Sequence, residues 1–320
     1  VFQPETSGGK LWPEHISDFQ HEAAMVLHQN IKQHRRTHKS ADNKSYKPEY
    51  VAGFASERYS IGLKVYRSSS YISSKCFTAR IRSTRKCSIP FPGTVSDGKV
   101  IKAENLGIEN FEIVKELKKE FKFNILLQND AKCAALAEQK YGELVSYENS
   151  IFLCIGTGVG GAAIYNGKLL EGKDVPGFEF SHTIVQKNGI LCNCGKRGCF
   201  ETYASIKRFK EKISNEYNLN TIDGSVIKQF ILENQSDLRL RYIINEYIEN
   251  LSIGISNIIN IFEPEAICIG GSFSEFGDIL YVPLKQALLT GNLLFNQRND
   301  IIIKYAKLKN DAGIIGASLI

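Results

Sequence analysis

The alternation of apolar and polar positions changes character near residue 87. From residue 88 onward, short apolar runs alternate with stretches whose apolar residues recur every three or four positions, the pattern of α/β layering. FNILLQ (123–128) predicts a strand, and NDAKCAALAEQKYGE (129–143) a helix stopped by Tyr-Gly. SIFLCIGTGVGGAAIYNGKLL (150–170) predicts two strands flanking a glycine turn. ETYASIKRFKEKISNEY (201–217) reads as one helix and SDLRLRYIINEYIENLSIGISNIINIF (236–262) as a longer one. EAICIGGS (265–272) reads as a buried strand running into a diglycine turn. Before residue 88 the rhythm is missing: 31–47 is polar and unpatterned, while 59–66 and 68–81 offer at most short strands.

Composition sharpens the same division. Of the 320 residues 43% are hydrophobic, enough for one large core or two medium ones. No apolar run approaches the roughly 20 residues needed to span a bilayer. The start lacks the basic-then-apolar build of a signal peptide, so no membrane association and a cytoplasmic location are expected. Residues 1 to 87 hold 15 Lys+Arg against 7 Asp+Glu, leaving 25 against 27 for the remainder of the 40 and 34 in the chain. Five of the six histidines, at 15, 21, 28, 34 and 38, lie in that basic segment. Basic clusters neutralise phosphates, but an ordinary solvated basic surface explains this one as well. No pair of amphipathic helices with a short turn is visible there, so nucleic acid is not expected as a partner.

Eight cysteines are too few for a disulfide scaffold in a chain of this length, yet three of them crowd into residues 192–199. With His182 they form H-x9-C-x-C-x4-C, the ligand set Cys192, Cys194, Cys199 and His182 that a tetrahedral zinc ion takes. Four protein ligands leave no open coordination position, so the zinc is expected to be structural and to order the loop carrying Glu179 and Glu201. The turn Gly156-Thr157-Gly158-Val159-Gly160-Gly161 lies between two strands, unlike a dinucleotide fingerprint, which needs a helix after the glycines. A structural hairpin accounts for it as readily as a phosphate-binding turn does. Asn129-Asp130 stands where a strand gives way to a helix. There an Asp serves equally as an N-cap or as a carboxylate aimed into a crevice.

GFEFSHTIVQKNGILCNCGKRGCFETYAS (177–205) resembles the signature of the ROK (repressor, open reading frame, kinase) family, Glu-x-Gly-His followed by Cys-x-Cys-Gly-x-x-Gly-Cys-x-Glu. Further matches run in family order from PFPGTVSDGKVIKAENLG through LLQNDAKCAALAE, IFLCIGTGVGGAAIYNGKLLEG and PEAICIGGSFSE to DAGIIGASLI, covering 88–320. The resemblance, to the sugar-kinase branch, implies an α/β actin-like ATPase (ribonuclease H-like) fold of two domains with an interdomain cleft. It implies ATP-dependent, glucokinase-like phosphorylation of a hexose or N-acetylhexosamine hydroxyl, with Mg²⁺ on the phosphates. Asp130 would be the general base, and Asn129, Glu179, His182 and Glu201 the sugar ligands. Gly156, Thr157, Gly158, Gly160 and Gly161, with Gly270 and Gly271, would hold ATP. A homodimer is implied as well. The rest of the N-terminal lobe would be 88–128 and the C-terminal lobe 129–320, with the zinc loop at 177–201 and the last helix returning to the N-terminal lobe.

Two departures from the family pattern matter. Gly177-Phe178-Glu179-Phe180-Ser181-His182 carries Phe178 and Ser181 where the family usually has glycine, so a reshaped sugar pocket is expected. The family's Asp-x-Gly-Gly-Thr phosphate loop is missing, its nearest string being Thr6-Ser7-Gly8-Gly9-Lys10. Residues 1 to 87 are therefore expected to occupy the place of the first half-lobe as an aberrant segment, as a reading-frame error would produce. The alternatives are a sugar-responsive ROK-type transcriptional regulator, or a catalytically impaired sugar-binding product.

Overall fold

The computed structural model describes residues 52–56, 59–63, 86–103, 106–121, 124–172, 177–290 and 302–320. The polar stretch 31–47, the possible strand at 68–81, the Thr6–Lys10 string and the N-terminal histidines lie outside the described residues. The chain divides into two compact units: one runs to Asp130 and takes in Ala317–Ile320, the other is Ala131–Gly316.

In the first unit, β1 (Ala52–Ser56), β2 (Tyr59–Leu63), β3 (Lys86–Phe91) and β7 (Asn124–Asn129) form a sheet in the order β2-β1-β3-β7. β1 pairs antiparallel with both β2 and β3, whereas β3 and β7 run parallel from Lys86↔Asn124 to Phe91↔Asn129. Part of the segment without α/β rhythm thus extends the sheet. β4 (Thr94–Ser96), β5 (Lys99–Ala103) and β6 (Ile108–Phe111) make an antiparallel meander, and α1 (Ile113–Glu120) follows. Ile89, Phe91, Val100, Ile113 and Leu117 are fully buried and gather these elements round one core.

The second unit begins with α2 (Asp130–Tyr141), whose Asp130 is counted with the first. Its sheet has the order β10-β9-β8-β11-β12: β8 (Ser150–Ile155), β9 (Val159–Tyr165), β10 (Lys168–Leu169), β11 (Ala266–Gly270) and β12 (Ile302–Tyr305). β8, β11 and β12 are parallel, and every residue of β11 is buried, as expected of a strand covered on both faces. The helical run at 201–217 is two helices, α3 (Phe200–Ala204) and α4 (Ile206–Tyr217). The break has a local cause: Ser205 adopts extended backbone (φ −68°, ψ 137°). Lys207 N–H, one of the donors freed at the start of α4, bonds Gly156 O at 3.2 Å. α5 (Gly224–Glu233) and α6 (Leu238–Phe262) start on Asp223 and Asp237, whose carboxylates accept first-turn N–H groups. α7 (Phe273–Phe276), α8 (Asp278–Thr290) and α9 (Ala312–Ala317) complete the chain. Tyr247 of α6 donates its hydroxyl to Ala204 O at 2.8 Å, fastening the long helix to α3. No helix among the described residues is long and apolar enough to cross a membrane.

Candidate functional site

His182 ends a short 3-10 turn, Phe180–His182, and the cysteines lie on a loop closed by backbone bonds. Val185 N–H bonds Gly198 O at 2.9 Å, Cys192 N–H bonds Lys196 O at 2.8 Å, and Ile184 bridges to Cys199. This knuckle brings the ligand atoms of His182, Cys192, Cys194 and Cys199 within 4.8 Å of one another. Cys192 Sγ is 3.7 Å from His182 Nδ1 and Cys194 Sγ is 3.5 Å from Cys199 Sγ. With zinc–sulfur bonds of about 2.3 Å, the edges of a tetrahedral site come to about 3.7 Å, so the donor set fits the ion. Thiol chemistry agrees. Burial, reinforced by Cys194 and Cys192, pushes Cys199 up to about 12. Burial also raises Cys192, against the pull of the Cys194 N–H. Burial acts on Cys194 too, but the Lys196 N–H and the other two thiols outweigh it and leave that thiol below its ordinary range. A divalent cation at the centre of the cluster would stabilise the thiolate form of all three cysteines.

The loop connects directly to the glycine turn. Glu201, two residues past Cys199 in α3, accepts Val159 N–H on Oε2 at 3.0 Å. The approach is close: a Cβ on Gly158 would lie 2.5 Å from that oxygen, so a larger residue there would push the Glu201 carboxylate aside. The family resemblance implies for Glu201 only the role of a sugar ligand. Its bond to a residue 42 positions away is a tertiary fact. The turn also meets the diglycine after β11. Gly271 has φ +77°, and a Cβ there would lie 2.6 Å from Ile155 O, while Gly156 faces Ser272. Both glycine turns leave the carboxyl ends of the parallel strands β8 and β11, where α/β sheets place their ligands.

Glu179 is exposed. Its carboxyl is raised above the ordinary range by desolvation and further by Glu201, against His182 and Lys132, which lower it. Lys132 is only 4% exposed, and no sequence pattern singles it out. A buried lysine needs a partner, and the Glu179 carboxylate feels its charge. Phe178 does not stand free over Glu179: its ring packs against Phe262 and the core of the second unit, and Ser181 is buried. The second unit thus brings together Glu179, His182, Glu201, the cysteines and both glycine turns. Asn129 and Asp130 close the first unit. Asn129 ends β7 and donates Nδ2–H to Gly93 O at 2.9 Å, and half-buried Asp130 opens α2.

A ROK family glucokinase from Streptomyces griseus, crystallised with glucose and AMPPNP, superposes with a TM-score of 0.61 over 71% of this chain and 77% of its own, at 24% identity. At that identity the likeness concerns the fold, and the fold is that of the actin-like ATPases. The chain belongs to the ROK family, whose model matches residues 75–320, starting ahead of residue 88 where the recognisable motifs begin. The glucokinase of Thermotoga maritima is 32% identical over 222 residues, 66% of this chain and 70% of its own. The xylose repressor of Caldicellulosiruptor bescii is 29% identical over 242 residues, 71% of this chain and 60% of its own.

Proposed function

We propose that this protein is a sugar kinase that transfers the γ-phosphoryl group of MgATP to a hydroxyl of a hexose or N-acetylhexosamine. The observation that carries the reading is the bond from Glu201 to Val159. It couples the loop bearing Glu179 and His182 to the glycine turn, which supports reading the two as a sugar-binding and a phosphate-binding element that act together. The similarity to glucokinase supports it.

A sugar hydroxyl is a poor nucleophile until a carboxylate accepts its proton, and Asp130 takes that role. Asn129, Glu179, His182 and Glu201 offer directional acceptors and donors to the other hydroxyls, and an analogue missing one of these hydroxyls leaves its partner unpaired. The glycine turn at 156–161 presents backbone N–H groups to phosphate oxygens, with Gly270 and Gly271 against the adenosine. Zinc held by His182, Cys192, Cys194 and Cys199 would have a closed coordination sphere. Its contribution would be to lock the orientation of His182 and the loop. A homodimer is part of the same proposal.

The test is phosphotransfer from MgATP to glucose, fructose, mannose, N-acetylglucosamine and N-acetylmannosamine. Product with at least one sugar is expected, and none with any refutes the reading. Asp130→Asn is expected to abolish turnover while sugar still binds, and retained turnover removes Asp130 as the base. A sugar-responsive regulator is the second reading, favoured by the similarity to the xylose repressor. Salt-dependent binding to duplex DNA without phosphotransfer would select it.

A further inference from the structure

Glu179 stands at the tip of a tight turn whose two flanks are held by the same ring. Phe178 has φ 65°, the left-handed region, where a bulky side chain is rare and strained. Glu179 follows with φ −79° and ψ 75°, and Phe180 N–H bonds Phe178 O at 3.0 Å. Those angles and that bond define an inverse γ-turn centred on Glu179. On one side of it the Phe178 ring lies 6.0 Å from that of Phe262, and on the other the Phe180 ring meets Phe262 edge-on at 5.4 Å. Phe262 is the last residue of the 25-residue helix α6, a rigid support. Phe180 is buried and Phe178 half-buried in the core of the second unit, whereas Glu179 between them is exposed. Residues 178 and 180 both turn toward Phe262, while the carboxyl between them senses the charges of His182, Lys132 and Glu201. Further along, His182 N–H bonds Glu179 O at 3.2 Å, and His182 is fixed in turn by its place among the cysteines.

We propose that Phe178, Phe180 and Phe262 form an aromatic clamp that aims the Glu179 carboxylate at a sugar hydroxyl, with Phe178 and Phe262 as positioning residues for sugar selection. The proposal rests on the sugar-kinase reading above. Glycine at 178 would take φ 65° without strain and make the turn equally well, but it would leave Glu179 attached to the core on one flank only. A phenylalanine forced into that conformation is held there by its packing, and the return is a carboxylate of fixed direction. Direction matters because a hydroxyl acceptor displaced by about 1 Å loses much of its discrimination.

The experiment compares wild type with Phe178→Gly, Phe178→Leu and Phe262→Ala in the full-length, zinc-loaded chain. Sugar and ATP kinetics, zinc content, thermal unfolding and amide exchange across 178–183 are measured for each. Phe178→Gly and Phe262→Ala are expected to raise the sugar KM about tenfold or more, with kcat and the ATP KM within about threefold. Zinc content should be unchanged, and exchange at Phe180 and His182 should be faster. Phe178→Leu, which keeps an apolar anchor, should recover most of the sugar KM. Unaltered sugar KM in folded, zinc-loaded Phe178→Gly refutes the clamp, whatever happens to its unfolding temperature. Parallel losses of sugar and ATP affinity refute it as well, since they report general loosening. If Phe262→Ala does not fold, the two Phe178 variants decide. Wild-type protein that phosphorylates none of the sugars overturns the kinase reading and the clamp together, whereas an active wild type with unaffected variants overturns the clamp alone.

Discussion

Replacing Glu201 separates two roles that one carboxylate can play. In the structure its Oε2 accepts Val159 N–H at 3.0 Å, and Val159 is buried. Hydrogen bonds to a charged acceptor contribute about 1.5–3 kcal/mol, and a buried donor left without an acceptor costs a similar amount. Glu201→Ala removes the acceptor, and the glycine turn loses the bond that fixes its Val159 end. If half to all of that energy holds the turn in the form proposed to bind phosphate, the ATP KM rises about three- to a hundredfold, at about 1.4 kcal/mol per factor of ten. Glu201→Gln keeps a neutral acceptor of the same reach and should raise the ATP KM by less than about tenfold. Steady-state kinetics with each substrate varied in turn measures both effects. Gly158→Ala provides an independent check, because its added methyl would lie 2.5 Å from the same oxygen and should also weaken ATP binding. The reasoning is refuted if Glu201→Ala raises the sugar KM while leaving the ATP KM within about twofold, for the carboxylate would then serve the sugar alone.

Other consequences are open to measurement. Cys194→Ser should reduce bound zinc well below one equivalent and lower the unfolding temperature by at least ~5 °C, and a chelator should reproduce both changes in wild type; a full complement of zinc in the variant would contradict the assignment of ligands. The folded-state pKa of Glu179 is raised, first by desolvation, so between its unfolded and folded values the native state binds more protons and stability falls as pH rises. Glu179→Gln should therefore unfold at a higher temperature than wild type at pH 7, with the gap closing as pH drops to about 4, where the unfolded carboxyl also protonates; a gap that does not depend on pH would contradict this.

The cluster of His182, Cys192, Cys194 and Cys199 is legible in the sequence because its residues are few, distinctive and close in number. Three cysteines within 192–199 and the only histidine after residue 38 leave little choice of partner. Both glycine turns are legible for a similar reason, since repeated glycine between apolar runs marks a backbone that must turn tightly. What sits against those turns is not legible. The Glu201 bond to Val159 depends on how α3 lies beside β9, and helical periodicity carries no information about that contact. Periodicity likewise runs straight through Ser205, where the chain breaks to start a second helix on Gly156 O. At Phe178 local propensity points the wrong way. A phenylalanine where the family usually has glycine reads as bulk added to a pocket, whereas its positive φ and its packing against Phe262, 84 positions away, exist only in the folded unit. Lys132 carries no sequence signal because a lysine on a helix ordinarily reads as solvated surface, and only its burial beside Glu179 changes that.

The strand order of the second unit sets a timetable for its synthesis. β8 and β9 are joined by three residues and can zip into a hairpin as soon as they leave the ribosome. The other edge of β8 pairs with β11 in the register Ser150↔Ala266, and beside it Asn149 N–H meets Glu265 across a sequence separation of 116 residues. Until that much chain has been translated, Ile151, Leu153 and Ile155 border an unpaired edge of the kind that templates aggregation. The knuckle at 182–199 and α6 are made during this interval. A nascent chain that captures its metal early would already have a folded loop in place when β11 arrives to close the sheet.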